Sequence, residues 1–437
     1  MNHYFNNKRL ESTDDCIEYF NSCIKNRNTK LIGFEHELII QDELSSEPVN
    51  YSGNRGIEVI LKNLVNFGYK PVYENGRLLQ LEKGGIGVSL EPGGQIEFSS
   101  SPCVFTSEIE DLFFSFLSDL QFVTKKLNLS ILHKGYRPNG IAKEIELIPS
   151  ERYQTLFSHF QKNSPKTFEQ KMTASTQVSM DYHSEVHAGK AIYLSMRCQA
   201  FLAALFANSN IVNGIKKNVS SYRLPIWRKI DPNRCGTPSF IEENDFFSNT
   251  FSYYTEWALD TQLLFITRNN ITIPIENLTF RSFLNNGFNE HEPLLEDWNT
   301  HLGTMYPETR LRNTVEMRSV DSSNPVKALA LAPFWKGLIY SNIALDRAIS
   351  LIDELTSEPT EVLFDKASKF GVRATTSNRE SFISVLLKLI NISDFGLTEM
   401  GESDYERSTL NTLTDEASKL MEKSIFQSKK PSHILHV

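Results

Sequence analysis

Four stretches of this chain alternate apolar side chains with carboxylates or amides, and that alternation limits the folds open to it. In "LIGFEHELII", Phe34, His36 and Leu38 fall on one side of an extended strand, and Glu35 and Glu37 on the other. In "SLEPGGQIEFSSSP", Glu91 enters a Pro-Gly-Gly corner, after which Gln95 and Glu97 share a face opposite Ile96 and Phe98. "STQVSMD" sets Gln177, Ser179 and Asp181 against Val178 and Met180. "NTVEMRSV" sets Glu316 and Arg318 against Val315 and Met317. Carboxylates are costly to bury as charges unless something neutralises them. Either these faces are solvated, or they line a polar cavity organised around cations. Four of them suggest one sheet with an apolar side and an oxygen-rich side. Oxygen ligands in this number suit a hard ion such as Mg²⁺, which keeps waters and bridges substrate phosphates.

Arginine is the second ingredient. Arg234 sits in "IDPNRCG", Arg310 and Arg312 in "PETRLRN", and Arg318 on the same strand face as Glu316. Guanidinium groups bind carboxylates and phosphates in bidentate fashion. Arg318, two residues from a candidate metal ligand, is the best placed of them for phosphate.

Other chemistries are absent from the sequence. There is no GxxxxGK[ST], no GxGxxG opening a helix, no GxSxG and no Cys/His pattern for zinc. His183 and His187 read as surface residues at a helix start, and Met196 and "FWKGLIY" as core. A net charge of −8 over 437 residues gives no electrostatic footprint for nucleic acid. The longest clean apolar run, "AFLAALFA" at 200–207, is far short of a membrane span, and the first residues lack a signal-peptide core. Five scattered cysteines read as free thiols in a reducing compartment. A cytoplasmic protein without nucleic-acid or membrane partners is expected.

Along the chain, a leading helix is expected within 1–28, then short strands from 31 to about 100, a helix over 107–128 capped by Ser107, and strands at "LSILHKGYRP" and 173–182. A long helix over 184–208 capped by Ser184 follows, then a loop over 209–248, helices over 253–268 and 291–301, and a strand over 310–320. After about 325 the chain reads as helical. The fold class is α+β.

These runs resemble the plant/proteobacterial type of glutamate–cysteine ligase. The matching segments are "GFEHE", "SLEPGGQIEFSSSP", "STQVSMDY", "ALFANSNIVNG", "IWRKIDPNRCG" and "HLGTMYPETRLRNTVEMRSVD", in order over roughly residues 30–345. The resemblance implies a glutamine-synthetase-like catalytic fold, a curved and mainly antiparallel sheet forming a funnel with helices outside. It implies a catalytic domain over 1–345 and a helical C-terminal extension over 346–437 packed on it. It implies ATP- and Mg²⁺-dependent formation of γ-glutamylcysteine from L-glutamate and L-cysteine, the first step of glutathione synthesis, through γ-glutamyl phosphate. Two or three Mg²⁺ ions would be held by Glu35, Glu37, Glu97, Glu316 and Gln177. Arg318 would act on the transferring phosphate and Arg234 on the α-carboxylate of glutamate, as the catalytic pair. Glu91, Gln95 and Trp227 would shape the substrate site, and Arg310 with Arg318 would meet the nucleotide. A monomer or homodimer is expected. The sequence departs from the family at Cys235, where Thr is usual, at Ser319, where Gly is common, and in carrying fewer acids before Arg234. These departures leave open a relative that γ-glutamylates a different amine, or a non-catalytic nucleotide-binding relative.

Overall fold

The chain is organised around one long strand that pairs with three others. A computed structural model describes residues 8–269 and 271–428. The expected leading helix over 1–28 and the expected spans 1–345 and 346–437 begin or end outside the described residues; within them the first helix is Thr13–Ser22. The main sheet contains β1 Ile32–Asp42, β2 Lys70–Glu74, β3 Arg77–Lys83, β4 Ile86–Leu90, β5 Ile96–Ser100, β6 Leu129–Leu132 and β7 Ser175–Met180, then the strands Thr309–Leu311 and Val315–Asp321. Their order is Thr309–Leu311, Val315–Asp321, β7, β1, β5, β4, β3, β2, with β6 on the far end of β1. Every pairing in this sheet is antiparallel.

Register decides which side chains meet. Glu37 stands opposite Glu97, and Glu35 opposite both Ser99 and Gln177. On the reverse face Phe34 meets Val178, and Leu38 meets Ile96. That reverse face is covered by the helices Thr106–Lys126, Glu185–Phe206 and Leu331–Tyr340. His36 lies there too, fully buried, with Thr176 Oγ1 at 2.8 Å; burial holds its imidazole down near a pKa of about 3.

The helix Glu185–Phe206 begins where Ser184 Oγ accepts the His187 N–H at 3.1 Å. It is apolar on almost every side, as befits a helix between the sheet and further helices. His187 is buried in it, with Nε2 3.0 Å from the Ile339 carbonyl oxygen, so the expectation of a surface histidine there is corrected.

Other expectations shift as well. The helix expected from Ser107 is capped at Phe105, where the Glu108 carboxylate accepts the Val104 and Phe105 N–H groups. The expected helix 253–268 is Thr250–Asp260 followed by a hairpin strand, Phe265–Arg268, because "FITR" is β-branched and aromatic and turns at Asn269 with φ 51°. The helices Ile57–Leu64 and Glu151–Asn163 were not anticipated.

The C-terminal helices are part of the same body. The helix Asn342–Leu355 crosses the expected boundary at 345/346, and one continuous apolar core runs from Leu10 to Ala417. Lys336, fully buried, pairs with Glu402 at 2.6 Å and Glu406 at 3.2 Å; Glu406 in turn accepts the Thr106 N–H at 2.7 Å. Among the described residues no single helix is long and apolar enough to cross a membrane; Pro325–Tyr340 and Asn342–Leu355 pass only as a pair bent by 96°. All five cysteines are free and buried.

Candidate active site

The oxygen-rich face of β1, β5 and β7 opens into a cavity of about 230 Å³. Five carboxylates line it, Glu35, Glu37, Glu91, Glu97 and Glu308, with six arginines, Arg152, Arg223, Arg228, Arg310, Arg312 and Arg318. The two signs are sorted in space. Glu35, Glu37, Glu91 and Glu97 stand on β1, β5 and the corner between β4 and β5. The arginines come from the helix Glu151–Asn163, from the segment around Leu224–Arg228, and from the last two strands and the turn between them.

The Pro92-Gly93-Gly94 corner sets the acidic wall. A Cβ on Gly93 would lie 2.1 Å from the Lys171 carbonyl oxygen, and Gly94 has φ +77°, so both positions require glycine. Gln95 staples this close approach: its Oε1 accepts the Gly93 N–H at 2.8 Å, and its Nε2 donates to the Gln170 and Thr173 carbonyls at 3.1 and 2.6 Å. Gln95 does not line the cavity, so its expected place among the substrate contacts is corrected; it is buried and fully used by the backbone.

The carboxylates divide into two kinds. Burial, then repulsion from neighbouring glutamates, raises Glu35 and Glu37 to about 7 and drives Glu97 well above the usual carboxylate range. Ser175 holds Glu37 through its N–H at 2.9 Å and its hydroxyl at 2.6 Å, and Ser89 Oγ donates to Glu97 at 2.7 Å. Tyr153 donates to Glu91 at 2.9 Å. None of these four carboxylates forms an ion pair among the described residues. Glu316 is the opposite case. Burial would raise it, but Arg310, with Nε and Nη2 each 2.8 Å from Oε2, and Arg318 on Oε1 together hold it near 2. Glu316 lies behind its arginines rather than on the cavity surface. Glu316 was expected among the Mg²⁺ ligands; in this structure two guanidiniums neutralise it.

Gln177 joins the two walls. Its Nε2 donates to Glu37 at 3.1 Å and its Oε1 accepts from Arg318 at 2.6 Å. Trp227 lines the cavity with its ring 5.6 Å from Tyr306, and donates from Nε1 to Thr173 Oγ1 at 3.0 Å. Arg318 lies over the Tyr306 ring at 5.8 Å. Arg310 reaches the cavity but is largely committed to Glu316 and the Gly303 carbonyl.

Arg234 is outside the cavity. It is fully buried, with Nε donating to Asp231 at 2.8 Å, Nη1 to Thr304 Oγ1 at 3.1 Å and Nη2 to the Gln262 carbonyl at 2.8 Å. This guanidinium has no face left for a substrate carboxylate, so its expected catalytic and substrate-binding role is corrected to a structural one.

Several lining residues escaped the sequence reading. Arg152 and Tyr153 come from a helix whose signal was present: Ser150 as cap, Glu151 in the first turn, and Leu156, Phe157 and Phe160 buried on one side. Arg152 makes no ion pair or hydrogen bond among the described residues, and Arg312 has only Asn299 Oδ1, at 3.1 Å, as side-chain partner. Glu308 accepts from Arg228 Nε at 2.6 Å and from the Ser319 hydroxyl. Ser319 lines the cavity because the Val315–Asp321 strand bulges: Met317 pairs with Val178 and Val320 with Thr176, leaving Arg318 and Ser319 opposite Gln177 alone.

Among the described residues no three His, Cys, Asp or Glu side chains converge as a closed metal cage would require. An open set is what Mg²⁺ uses, with one or two carboxylates, waters and substrate phosphates. The unpaired, mutually repelling carboxylates Glu35, Glu37 and Glu97 fit that chemistry, with the Gln177 amide at their edge.

A family model described as glutamate-cysteine ligase family 2 (GCS2) matches residues 31–423. The chain belongs to this family. It is therefore a ligase. The chloroplastic glutamate–cysteine ligase of Nicotiana tabacum is 28% identical over 92% of this chain and 76% of its own length. That of Medicago truncatula is 29% identical over 89% and 76%. The crystal structure of a Francisella tularensis glutamate–cysteine ligase in complex with AMP superposes with a TM-score of 0.53 at 10% identity, covering 90% of this chain and 82% of that one. The α+β, glutamine-synthetase-like fold expected from the sequence is the fold observed.

Two outcomes follow from these environments. Arg234→Ala should destabilise the protein by about 3–5 kcal/mol, because Asp231 loses a buried partner, while leaving the Michaelis constant for glutamate unchanged in the folded fraction. Urea denaturation and glutamate titration check this; a stable variant with a raised constant would return Arg234 to the substrate site. Glu35 binds its proton more tightly folded, at about 7, than at the ordinary 4.5, so the native state carries the extra proton between those values and its stability falls as pH rises through them. The melting temperature of Glu35→Gln should therefore gain on the wild type from pH 5 to pH 8. A constant difference across that window would contradict the assignment.

Proposed function

We propose that this protein uses ATP and Mg²⁺ to join the γ-carboxylate of L-glutamate to the amine of L-cysteine, through γ-glutamyl phosphate, in the first step of glutathione synthesis. Membership of the glutamate–cysteine ligase family supports the two amino acids. The observation that carries the chemistry is the charge-sorted cavity, four unpaired carboxylates facing a wall of arginines. The AMP complex of the Francisella relative supports nucleotide use by this fold.

The chemical obstacle is that a carboxylate must attack a triphosphate, anion upon anion. Magnesium, when bound, would neutralise the phosphate charge. Glu35, Glu37 and Glu97 would hold it, with Gln177 beside them. Arg318 turns part of its guanidinium towards the cavity and would stabilise the transferring phosphoryl group. Glu316 is a positioning group in this scheme, holding Arg310 and Arg318 in place. Arg152 and Arg312, free of carboxylate partners, would take the remaining anionic groups, nucleotide phosphates or amino-acid carboxylates. Trp227 and Tyr306 close the wall beside them and limit water. The γ-carboxylate takes the terminal phosphoryl group and ADP leaves; the cysteine amine then attacks the acyl carbon, the amide bond forms, and phosphate and the amine's proton leave. A cytoplasmic setting fits the five free cysteines; the plant relatives are named chloroplastic.

Phosphate release by the purified protein with ATP, Mg²⁺ and L-glutamate, with and without L-cysteine, tests the reading when the products are also weighed by mass spectrometry. Cysteine-dependent release with γ-glutamylcysteine formed is expected. Release that ignores cysteine would overturn the acceptor assignment, and no release would overturn the ligase chemistry for this chain.

A further inference from the structure

The bulge at Arg318 and Ser319 raises a question of backbone bonding. Two residues stand opposite one, so the ladder cannot satisfy their four main-chain polar groups. Beyond one long backbone bond, from the Arg318 N–H to the Glu308 carbonyl oxygen at 3.3 Å, two side chains do so instead. Gln199 Oε1 accepts the N–H groups of Arg318 and Ser319, both at 2.8 Å. Arg223 donates from Nη2 to the Arg318 carbonyl and from Nη1 to the Ser319 carbonyl, both at 3.1 Å. The Gln199 amide nitrogen donates to the Glu308 carbonyl and to Thr309 Oγ1, each at 2.8 Å, which ties the neighbouring strand to the same point. All four bonding positions of this amide are thus used, and all serve the Glu308–Ser319 segment.

Gln199 is 1% exposed in the middle of the apolar helix Glu185–Phe206. An aliphatic side chain of similar length would fill that volume without the cost of burying an amide. What the amide adds is the shape of the strand. Without the bulge, alternation would send Ser319 to the apolar face. With it, Arg318 and Ser319 both reach the cavity, where Arg318 meets Gln177 and Ser319 meets Glu308.

We propose that Gln199 is a positioning residue for phosphoryl transfer: from the core helix it holds the Arg318–Ser319 bulge and so fixes the backbone from which the Arg318 guanidinium enters the cavity. The inference rests on the ligase reading above. Gln199 touches no substrate; it acts through Arg318.

The test is a double-mutant cycle on the full-length protein. Gln199→Met keeps the shape and removes the bonds. It should lower kcat about 10²-fold, the scale of a displaced catalytic group, with the Michaelis constants for glutamate and cysteine nearly unchanged. Calorimetry should show MgADP binding weakened about tenfold. Gln199→Glu, which keeps acceptor oxygens for both N–H groups, should recover part of the rate. In an Arg318→Lys background Gln199→Met should cost little more, because the group it positions is already lost. A folded Gln199→Met with near-normal kcat and MgADP affinity would overturn the inference, as would a loss that multiplies in full on Arg318→Lys. If Gln199→Met does not fold, Arg223→Lys loosens the bulge from its other side, and the same cycle with Arg318→Lys decides. Wild-type protein without turnover would refute the ligase reading itself, a different outcome from an active wild type with an indifferent Gln199→Met.

Discussion

Pairing of β1 with β5 and β7 puts Glu37 opposite Glu97 and Glu35 opposite Gln177, and the site depends on that register. A slip of β1 by one residue would turn Glu35 and Glu37 into the aromatic core and Phe34 into the cavity. The register is fixed from behind by apolar packing, where Phe34, Phe98 and Phe113 pack ring on ring. Core packing therefore holds together carboxylates that would separate if free. Their raised proton affinities come from burial first and from that enforced proximity second.

The opposite wall solves the complementary problem. Glu316 shares the sheet with Glu35 but has two arginines against it, and its carboxyl moves the other way. The same side chain is an anion in need of a cation at one place and the anchor of cations at another. Gln177, bonded to Glu37 and Arg318 together, marks the seam. The proposed phosphoryl transfer would run along this seam, where preorganised cations stabilise the charge that develops.

Much of this was legible in the sequence because period-2 alternation is a local signal. The acid faces at 35–37 and 91–97, and the place of Gln177 and Trp227, followed from it or from the family resemblance. The misread residues depend on partners far along the chain. Arg234 sits in a motif that looks functional, yet its partners include Thr304 and the Gln262 backbone. Gln95 looked like a cavity residue because it shares the alternation of Glu97, but the carbonyls of Gln170 and Thr173 claim it. Ser319 was hidden because a bulge breaks the period, and nothing in "EMRSV" announces a bulge; its cause is Gln199, more than a hundred residues earlier. Arg152 was missed for a simpler reason, a helix start with ordinary signals that went unread.

Anomalous diffraction from crystals grown with Mn²⁺ and a non-hydrolysable ATP analogue tests the charge-sorted site most directly. An ion bounded by oxygens of Glu35, Glu37 and Glu97 and by the analogue's phosphates is expected, with Arg318 facing the γ-phosphate and Glu316 still between its arginines. An ion seated on Glu316 in place of the arginines, with the β1 and β5 glutamates left bare, would contradict it.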